Sequence, residues 1–186
     1  MCYYITLTLP KETKLGDLKQ LIDHYDMAFH LIQNSSVSSQ LHDKDLYLRA
    51  TKKYCDCDTS LGSLNRDSEI NTLLNSKKVK NLRKKNWTDE QIDEWIQKKL
   101  ESKEIKTNKT LTPMERDLEI QSWIDLIKNI VISKNVEYIG VLKHWYSRDL
   151  ESEVIKIKDV KPIQVNLLES KTLLELAEDV LYKFVS

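Results

Sequence analysis

Glycine, proline and cysteine are scarce in this chain of 186 residues, which has three of each. So few glycines exclude the glycine-rich phosphate loops of P-loop and dinucleotide-binding proteins. No apolar run approaches the roughly 18 residues that a membrane-spanning helix needs, and the first residues lack the basic region and cleavage pattern of a signal peptide. We therefore expect a cytoplasmic protein without membrane contact, in which an odd number of cysteines favours reduced thiols.

The chain also lacks net charge, because 29 basic side chains balance 29 acidic ones. This balance hides an uneven distribution, since the net charge is −1 over residues 1–63, +4 over 64–111 and −3 over 112–186. With 40% hydrophobic residues, the composition is that of a globular protein large enough to bury a core. Overall neutrality therefore does not exclude an acidic partner for the middle segment.

Hydrophobic periodicity divides the chain into two strand-rich parts that flank a helical one. Residues 3–9 alternate apolar and polar side chains, which is typical of a half-buried strand, whereas capping boxes at Thr88 and Thr112 begin helices in the middle of the chain. We predict an α+β fold: a single domain over residues 1–186, with a mixed or antiparallel sheet, helices packed on one face and a helical insert at about 64–134. Further strands are predicted over 27–32, 46–51, 136–146 and 152–158, and further helices over 15–25 and 170–184.

Residues 54–63 form the densest group of chemically versatile side chains, with Cys55, Cys57, Asp58, Thr59 and Ser63 as candidate ligands. The C-x-C spacing allows both thiolates to bind one metal ion, so a divalent metal is the cofactor that this loop would hold. A closed zinc site needs four ligands, and the remaining ones would come from Cys2, His30, His42 or His144.

Other interpretations of the same loop stay open. Nucleophilic or redox chemistry at the two cysteines is opposed by Asp56 and Asp58, because nearby carboxylates raise a thiol pKa. The hydroxyls of Thr59, Ser60 and Ser63, with the backbone N–H groups near Gly62, would suit an anion at the start of the following helix. The same residues are also typical of a turn that only caps that helix, with the cysteines serving as small apolar side chains.

Two segments together resemble a pattern in a group of uncharacterised bacterial proteins of similar size. They are the loop Cys55-Asp56-Cys57 with Thr59 and Leu61-Gly62-Ser63, and the run Leu82-Arg83-Lys84-Lys85-Asn86-Trp87-Thr88 followed by Ile92 and Trp95. In that group the loop usually reads C-D-C-G-T-x-L-G-S, and a glycine usually precedes the tryptophan. Asp58 and Asn86 stand at these glycine positions, which predicts left-handed backbone at both. The resemblance implies a family and no activity.

Residues 77–85 carry six positive charges and no acidic side chain. In a helix, such a run presents a basic face suited to the phosphates of a nucleic acid or to an acidic protein surface. The alternative is a solvated face whose cations pair with the acids of the next helix, which begins near Asp89. The candidate partner-binding residues are Lys77, Lys80, Arg83, Lys84 and Lys85.

His144, near the end of a predicted strand, is the remaining candidate, either as a metal ligand or base or as a hydrogen-bonded structural histidine. The sequence favours a non-enzymatic binding protein whose basic insert contacts an acidic partner, protein or nucleic acid. The alternative is a small enzyme or metalloprotein with its site at residues 55–63, supplemented by His144.

Overall fold

The computed structural model describes residues 2–42, 45–62, 73–74, 76–106 and 111–186, and for residues 77 and 100–106 it describes the backbone alone. The chain divides into two units, residues 1–63 with 112–186 and residues 64–111. None of the described helices has both the length and the apolar character that crossing a bilayer demands.

The first unit is built on a six-stranded mixed sheet in the order β2-β3-β1-β4-β6-β5. Neighbouring strands are antiparallel except β5 and β6, which are parallel. With helices packed against this sheet, the predicted α+β class is confirmed. The strands are β1 (Cys2–Leu9), β2 (His30–Leu31), β3 (Leu46–Arg49), β4 (Tyr138–Tyr146), β5 (Asp159–Gln164) and β6 (Val180–Val185).

One face of the sheet carries the main core. The apolar residues of β1, such as Ile5 and Leu7, point to this face because strand side chains alternate between faces. Two helices cover it, α1 (Leu15–His24) and α5 (Pro113–Lys128). The latter begins with the predicted capping box and buries Trp123 in the core, so it belongs to the first unit although the sequence pattern grouped it with the helical insert at 64–134.

The other face is covered by a short helix, α2 (Ser35–Ser38), and by the irregular segment 147–158. Tyr47 and Tyr146 are buried here, and their hydroxyl oxygens are 2.6 Å apart. Asn34 connects α2 with the segment 147–158. It caps α2 and also donates to the carbonyl oxygens of Leu150 and Glu153, each at 2.9 Å.

The carboxyl-terminal part differs from its sequence prediction. No strand forms over 152–158, and β5 follows instead at Asp159–Gln164. The helix predicted over 170–184 is wrong: α6 ends after Ser170–Leu174, and the chain continues as β6. The apolar run of β6 does not distinguish a strand from a helix, because it shows no clean alternation. The strand lies between β4 and β5 with both faces buried.

The second unit contains α3 (Lys77–Lys84) and α4 (Asp89–Lys106). Val79 and Leu82 of α3 pack with apolar residues of α4 in a small core. The turn between the helices has Asn86 in the left-handed region, with φ 59°, as predicted. The predicted capping box of α4 is also present, since Thr88 accepts from the Gln91 N–H and donates its own N–H to the Gln91 side chain.

Candidate functional site

Three cysteine side chains converge beside the first residues of β1. The Sγ atoms of Cys2, Cys55 and Cys57 all lie within 4.8 Å of one another. Cys2 begins β1, whereas the other two belong to the loop that follows β3, so the fold brings together thiols that are far apart in the sequence. All three are free and only partly buried.

The loop is held at this position because it supplies hydrogen-bond partners that β1 otherwise lacks. β3 pairs only with residues 6–9 of β1, which leaves one edge of its first residues without a strand. The Asp56 N–H donates to the Tyr3 carbonyl at 2.9 Å, and the Tyr3 N–H donates to Cys57 Sγ at 3.2 Å. The Ile5 N–H donates to Asp56 Oδ2 at 2.8 Å. Since buried backbone groups need partners, these bonds account for much of the loop's conformation.

Asp56 is fully buried and anchors the loop. Its second carboxylate oxygen accepts the Thr51 hydroxyl at 2.7 Å, so both oxygens have a donor. Burial raises the pKa of Asp56 above its ordinary value, against the lowering effect of the Ile5 N–H, the Thr51 hydroxyl and the charge of Arg49.

A tight turn follows Cys55-Asp56-Cys57. The Thr59 hydroxyl donates to the Asp56 carbonyl at 2.8 Å and accepts the Gly62 N–H at 3.0 Å. A Cβ atom at Gly62 would lie 2.0 Å from the Asp56 carbonyl oxygen, so only glycine fits there. Asp58 is exposed and does not adopt the predicted left-handed backbone. Ser63, the last candidate ligand of the loop, lies outside the described residues.

Two donors of this loop that could bind an external anion are bonded to a carboxylate of the protein itself. The Ser60 N–H and hydroxyl both donate to Glu119 Oε2, each at 2.7 Å. Glu119 is a residue of α5 and also lies 3.5 Å from the Lys53 ammonium. The protein's own carboxylate therefore takes both donors of Ser60, and the Thr59 hydroxyl and the Gly62 N–H are bonded to each other within the turn.

Burial raises the pKa of the Cys57 thiol to about 12, and the nearby Cys55 and Cys2 thiols add to this, while the Tyr3 N–H lowers it. The raised pKa of the Cys57 thiol therefore comes from burial and the other sulfurs, and not from Asp56 and Asp58 as the sequence predicts. Three thiols so close together cannot all ionise without a cation, because thiolate charges repel one another. The cluster is therefore suited to a metal ion rather than to a free thiolate nucleophile.

A cleft of about 530 Å³ opens beside the cluster. Cys2 lies in its wall together with the rings of Tyr4, Tyr54 and Tyr146. The turn 148–151 also lines the cleft and carries a guanidinium group and two carboxylates. Of the three thiols, Cys2 is the one that the lining of this cleft includes.

His144 does not join the thiol cluster. It lies opposite Tyr4 in the β1–β4 register, whereas Cys2 lies opposite Tyr146, a separation of about 7 Å along the strands. Its Nδ1 is hydrogen-bonded to Asp179, a residue with φ 65° whose other oxygen pairs with Lys158 at 2.7 Å. The Asp179 carboxylate fixes the orientation of the His144 ring, as it would for a structural histidine and equally for a histidine that acts as a base or ligand.

His144, Glu178 and Asp179 form a second group of potential ligands, with donor atoms within 4.8 Å of one another. Each carboxylate already serves the fold, since Glu178 accepts the Trp145 N–H at 3.1 Å and Asp179 pairs with Lys158. His144 Nε2 is buried without a hydrogen-bond partner among the described residues and lies 4.0 Å from Glu153 Oε1.

The basic residues of the second unit lie on α3 and the turn after it. Lys80, Arg83, Lys84 and Lys85 are exposed, while the apolar residues of α3 turn inward. Arg83 pairs weakly with Asp89, at 3.5 Å, and the three lysines have no ion pair within the described residues. Lys77 begins α3, and its side chain lies outside the described part of the chain.

Sequence reasoning underrated two residues of the thiol site. The sequence makes Cys2 one of four candidates for the two ligands that the loop does not supply, because its distance from the loop depends on how β1 pairs in the sheet. From the sequence, Asp56 is a charge near the thiols, although its position between two cysteines and after a predicted strand is compatible with an anchor. Comparison with protein-family models, curated proteins and solved structures gives no match for this chain.

Proposed function

We propose that this protein binds a thiophilic metal ion through Cys2, Cys55 and Cys57. The proposal is carried by one observation, the approach of all three sulfur atoms to within 4.8 Å of one another. Two thiolates on a tetrahedral zinc ion are about 3.8 Å apart, given Zn–S bonds of about 2.3 Å. Closing the cluster around an ion therefore takes sulfur movements of about 1 Å or less.

The partial exposure of the three thiols supports this function. A cysteine that acts as a small apolar side chain is usually fully buried, whereas all three cysteines here are partly exposed and one lines a cleft. The Tyr3 N–H that donates to Cys57 Sγ adds support, because metal-bound ligands commonly receive such a hydrogen bond. Thiolate ligands select Zn²⁺ or Cu⁺ over Mg²⁺ or Ca²⁺.

The purified chain is loaded with zinc in a buffer that contains a phosphine reductant, because a phosphine contributes no thiol ligand. The amount of bound zinc is then measured after gel filtration. We expect about one zinc ion per chain for the unaltered protein. Cys2→Ser should lose most of the metal, and so should Cys55→Ser and Cys57→Ser. A chain that retains no zinc, or a Cys2→Ser variant that binds as well as the unaltered protein, contradicts the proposal.

Two control variants match the cysteine changes. His144→Gln and Asp58→Asn alter the candidate ligands outside the cluster, so both should keep the metal. The Cys57→Ser variant retains an oxygen that can accept the Tyr3 N–H, so it should keep its fold. Circular dichroism and the urea midpoint then distinguish loss of metal from misfolding.

A second function is favoured by the exposed cations of α3 and of the turn after it. We propose that Lys80, Lys84 and Lys85 bind an acidic partner, either a nucleic acid or an acidic protein. The support is that these lysines are exposed and have no ion pair within the described residues, while Val79 and Leu82 of α3 are buried in the small core. Binding to phosphates by such a surface weakens steeply with salt, because counterions are released.

The test compares a triple variant, Lys80→Glu, Lys84→Glu and Lys85→Glu, with a control that changes Lys11, Lys134 and Lys156 to Glu. Both variants alter the net charge equally, and the control lysines are exposed elsewhere. Fluorescence anisotropy with duplex DNA, single-stranded RNA and polyglutamate should show loss of binding only for the α3 variant. Equal loss in both, or no binding by the unaltered protein at low salt, contradicts this function.

A further inference from the structure

We propose that the turn between α3 and α4 binds single-stranded nucleic acid, with Trp87 stacking on a base and the neighbouring lysines binding phosphates. This inference rests on the second proposed function and names the partner class that the exposed cations serve. Three features carry it: an exposed tryptophan, a backbone that holds this residue in place, and the charge around it.

Trp87 is the more exposed of the two tryptophans of the second unit. Trp95 packs against the small core of this unit, and its ring centroid lies 5.0 Å from the Lys99 ammonium. Trp87, in contrast, is 38% exposed. More than a third of this residue is therefore available to a partner, and an aromatic ring is the group on which the bases of a single strand stack.

Two helix ends fix the backbone of Trp87. Its N–H donates to the Leu82 carbonyl at 3.2 Å. The Asn86 N–H donates to the Arg83 carbonyl at 3.0 Å, so the two bonds form the Schellman arrangement that ends α3. The next residue, Thr88, begins the capping box of α4. Because the attachment of the ring is ordered before binding, a partner loses little free energy in ordering it.

Exposed lysines lie close to Trp87 in the chain. Lys84 is the last residue of α3 and Lys85 follows it. Lys80 lies one turn of the helix before Lys84, about 6 Å along the axis. All three lysines are exposed. Since lysine carries its charge on a flexible four-carbon stem, a strand that stacks on Trp87 finds cations for its flanking phosphates.

The carboxylates that follow Trp87 in the chain are engaged at the start of α4. Asp89 lies 3.5 Å from the Arg83 guanidinium. Glu90 is hydrogen-bonded to its own N–H and to the Thr88 side chain. Residues 79–90 carry four basic and two acidic side chains, so this part of the chain keeps a positive charge that attracts an anion.

An indole ring beside lysines fits a single strand better than it fits the other acidic partners. In a duplex the bases stack on one another, so a protein ring reaches their faces only if a base leaves the stack. A run of acidic side chains supplies charge without a flat face for the ring. Stacking tolerates every base, so the partner is a single strand of DNA or RNA without strong base preference.

Fluorescence anisotropy of the full chain with labelled strands of about 12 nucleotides, within the span of single-strand sites, tests the inference. One strand carries thymine bases, and the other is abasic with the same number of phosphates. The unaltered protein should bind the thymine strand more tightly. Trp87→Leu should weaken this binding by roughly five- to hundredfold, the usual loss for one stacked base, and leave binding of the abasic strand unchanged.

Two further variants serve as controls. Trp87→Phe keeps an aromatic ring and should retain most of the affinity for the thymine strand. Trp145→Leu makes the same change at a tryptophan of β4 that is 36% exposed, and it should affect neither strand. Duplex DNA and polyglutamate should bind to the Trp87→Leu variant as they do to the unaltered protein, which also shows that this variant is folded.

DNA and RNA are compared by adding a uridine strand of the same length. It should bind about as tightly as the thymine strand, because neither stacking on Trp87 nor the lysine–phosphate contacts involve the sugar. A preference above about tenfold for either strand overturns recognition through base and phosphate alone.

The possible results separate this inference from the function on which it rests. If the unaltered protein binds none of these anions at low salt, the basic surface itself is contradicted. A thymine strand bound no better than the abasic one, or equal losses in Trp87→Leu and Trp145→Leu, overturns stacking on Trp87 and leaves the basic surface standing. Tighter binding of polyglutamate than of the thymine strand overturns a nucleic acid as the partner.

Discussion

The Asp56 carboxylate accepts the backbone N–H of Ile5 at 2.8 Å, and this bond joins the cysteine loop to the first strand of the sheet. It occupies the edge of β1 that β3 leaves unpaired. The same carboxylate receives the Thr51 hydroxyl, so one buried side chain connects the end of β3, the loop and β1. The position of two of the three thiols depends on it.

We expect Asp56→Ala to destabilise the protein by about 3 kcal/mol, because it leaves two buried donors without partners. Asp56→Asn should cost about 1 kcal/mol or less, since its amide accepts from Ile5 and donates to the Thr51 hydroxyl. Urea unfolding measures both values. Equal losses in the two variants would show that the hydrogen bonds do not hold the loop.

Replacing Gly62 by alanine should cost about 3 kcal/mol or more, since the new Cβ would lie 2.0 Å from the Asp56 carbonyl oxygen. Gly16→Ala is the matched control. It lies in α1 with no atom within 4 Å of the added Cβ, so alanine there should be neutral or stabilising by up to about 1 kcal/mol. Thermal unfolding of the two variants checks this, and a tolerated alanine at 62 would refute the close contact.

The Tyr47–Tyr146 hydroxyl pair should behave as a coupled unit. Either single change to phenylalanine removes the bond between the two hydroxyls, at a cost of about 1 kcal/mol, while the remaining hydroxyl keeps the Thr6 side chain beside it. The double variant should lose less than the sum of the two single losses, with a coupling energy of about 1 kcal/mol. A double-mutant cycle by urea unfolding measures it, and strict additivity would show that the hydroxyls do not interact.

Glu153 should contribute to acid sensitivity. Burial tends to raise its pKa, but the N–H groups of Arg148 and Ser147 outweigh that effect, and the pKa lies below its ordinary value. A carboxylate with a lowered folded-state pKa contributes stability that is complete above its unfolded value, about 4.5, and is lost as the pH falls through the folded value. The Glu153→Gln variant should therefore lose less stability between pH 5 and pH 3, roughly the range of this titration, and parallel curves for the two proteins would contradict this.

The sequence predicted well those features that depend on local chemistry. The capping boxes at Thr88 and Thr112 and the left-handed Asn86 are each determined by neighbouring residues. The alternation of β1 also predicted which of its faces carries the main core. By contrast, β6 was mistaken for a helix because the burial of both its faces, which removes the period of two, is decided by the order of strands in the sheet.

In the candidate site, too, local features could be predicted from the sequence and contacts between distant segments could not. The loop at 54–63 was recognised from its composition, but the role of Cys2 depends on β1 lying beside that loop. His144 was proposed as its companion, whereas the β1–β4 register sets it opposite Tyr4 and its ring is bonded to Asp179. Contacts between distant segments decided which candidate ligands come together, and no local pattern contains that information.

X-ray absorption spectroscopy of the zinc-loaded protein, prepared without any added thiol, tests the central claim most directly, because it counts the sulfur atoms bound to the metal. The account predicts three sulfur neighbours at about 2.3 Å and one lighter neighbour at about 2.0 Å. Cys2→Ser should reduce the sulfur count to two. A spectrum with no more than one sulfur neighbour in the unaltered protein would contradict a metal site built from Cys2, Cys55 and Cys57.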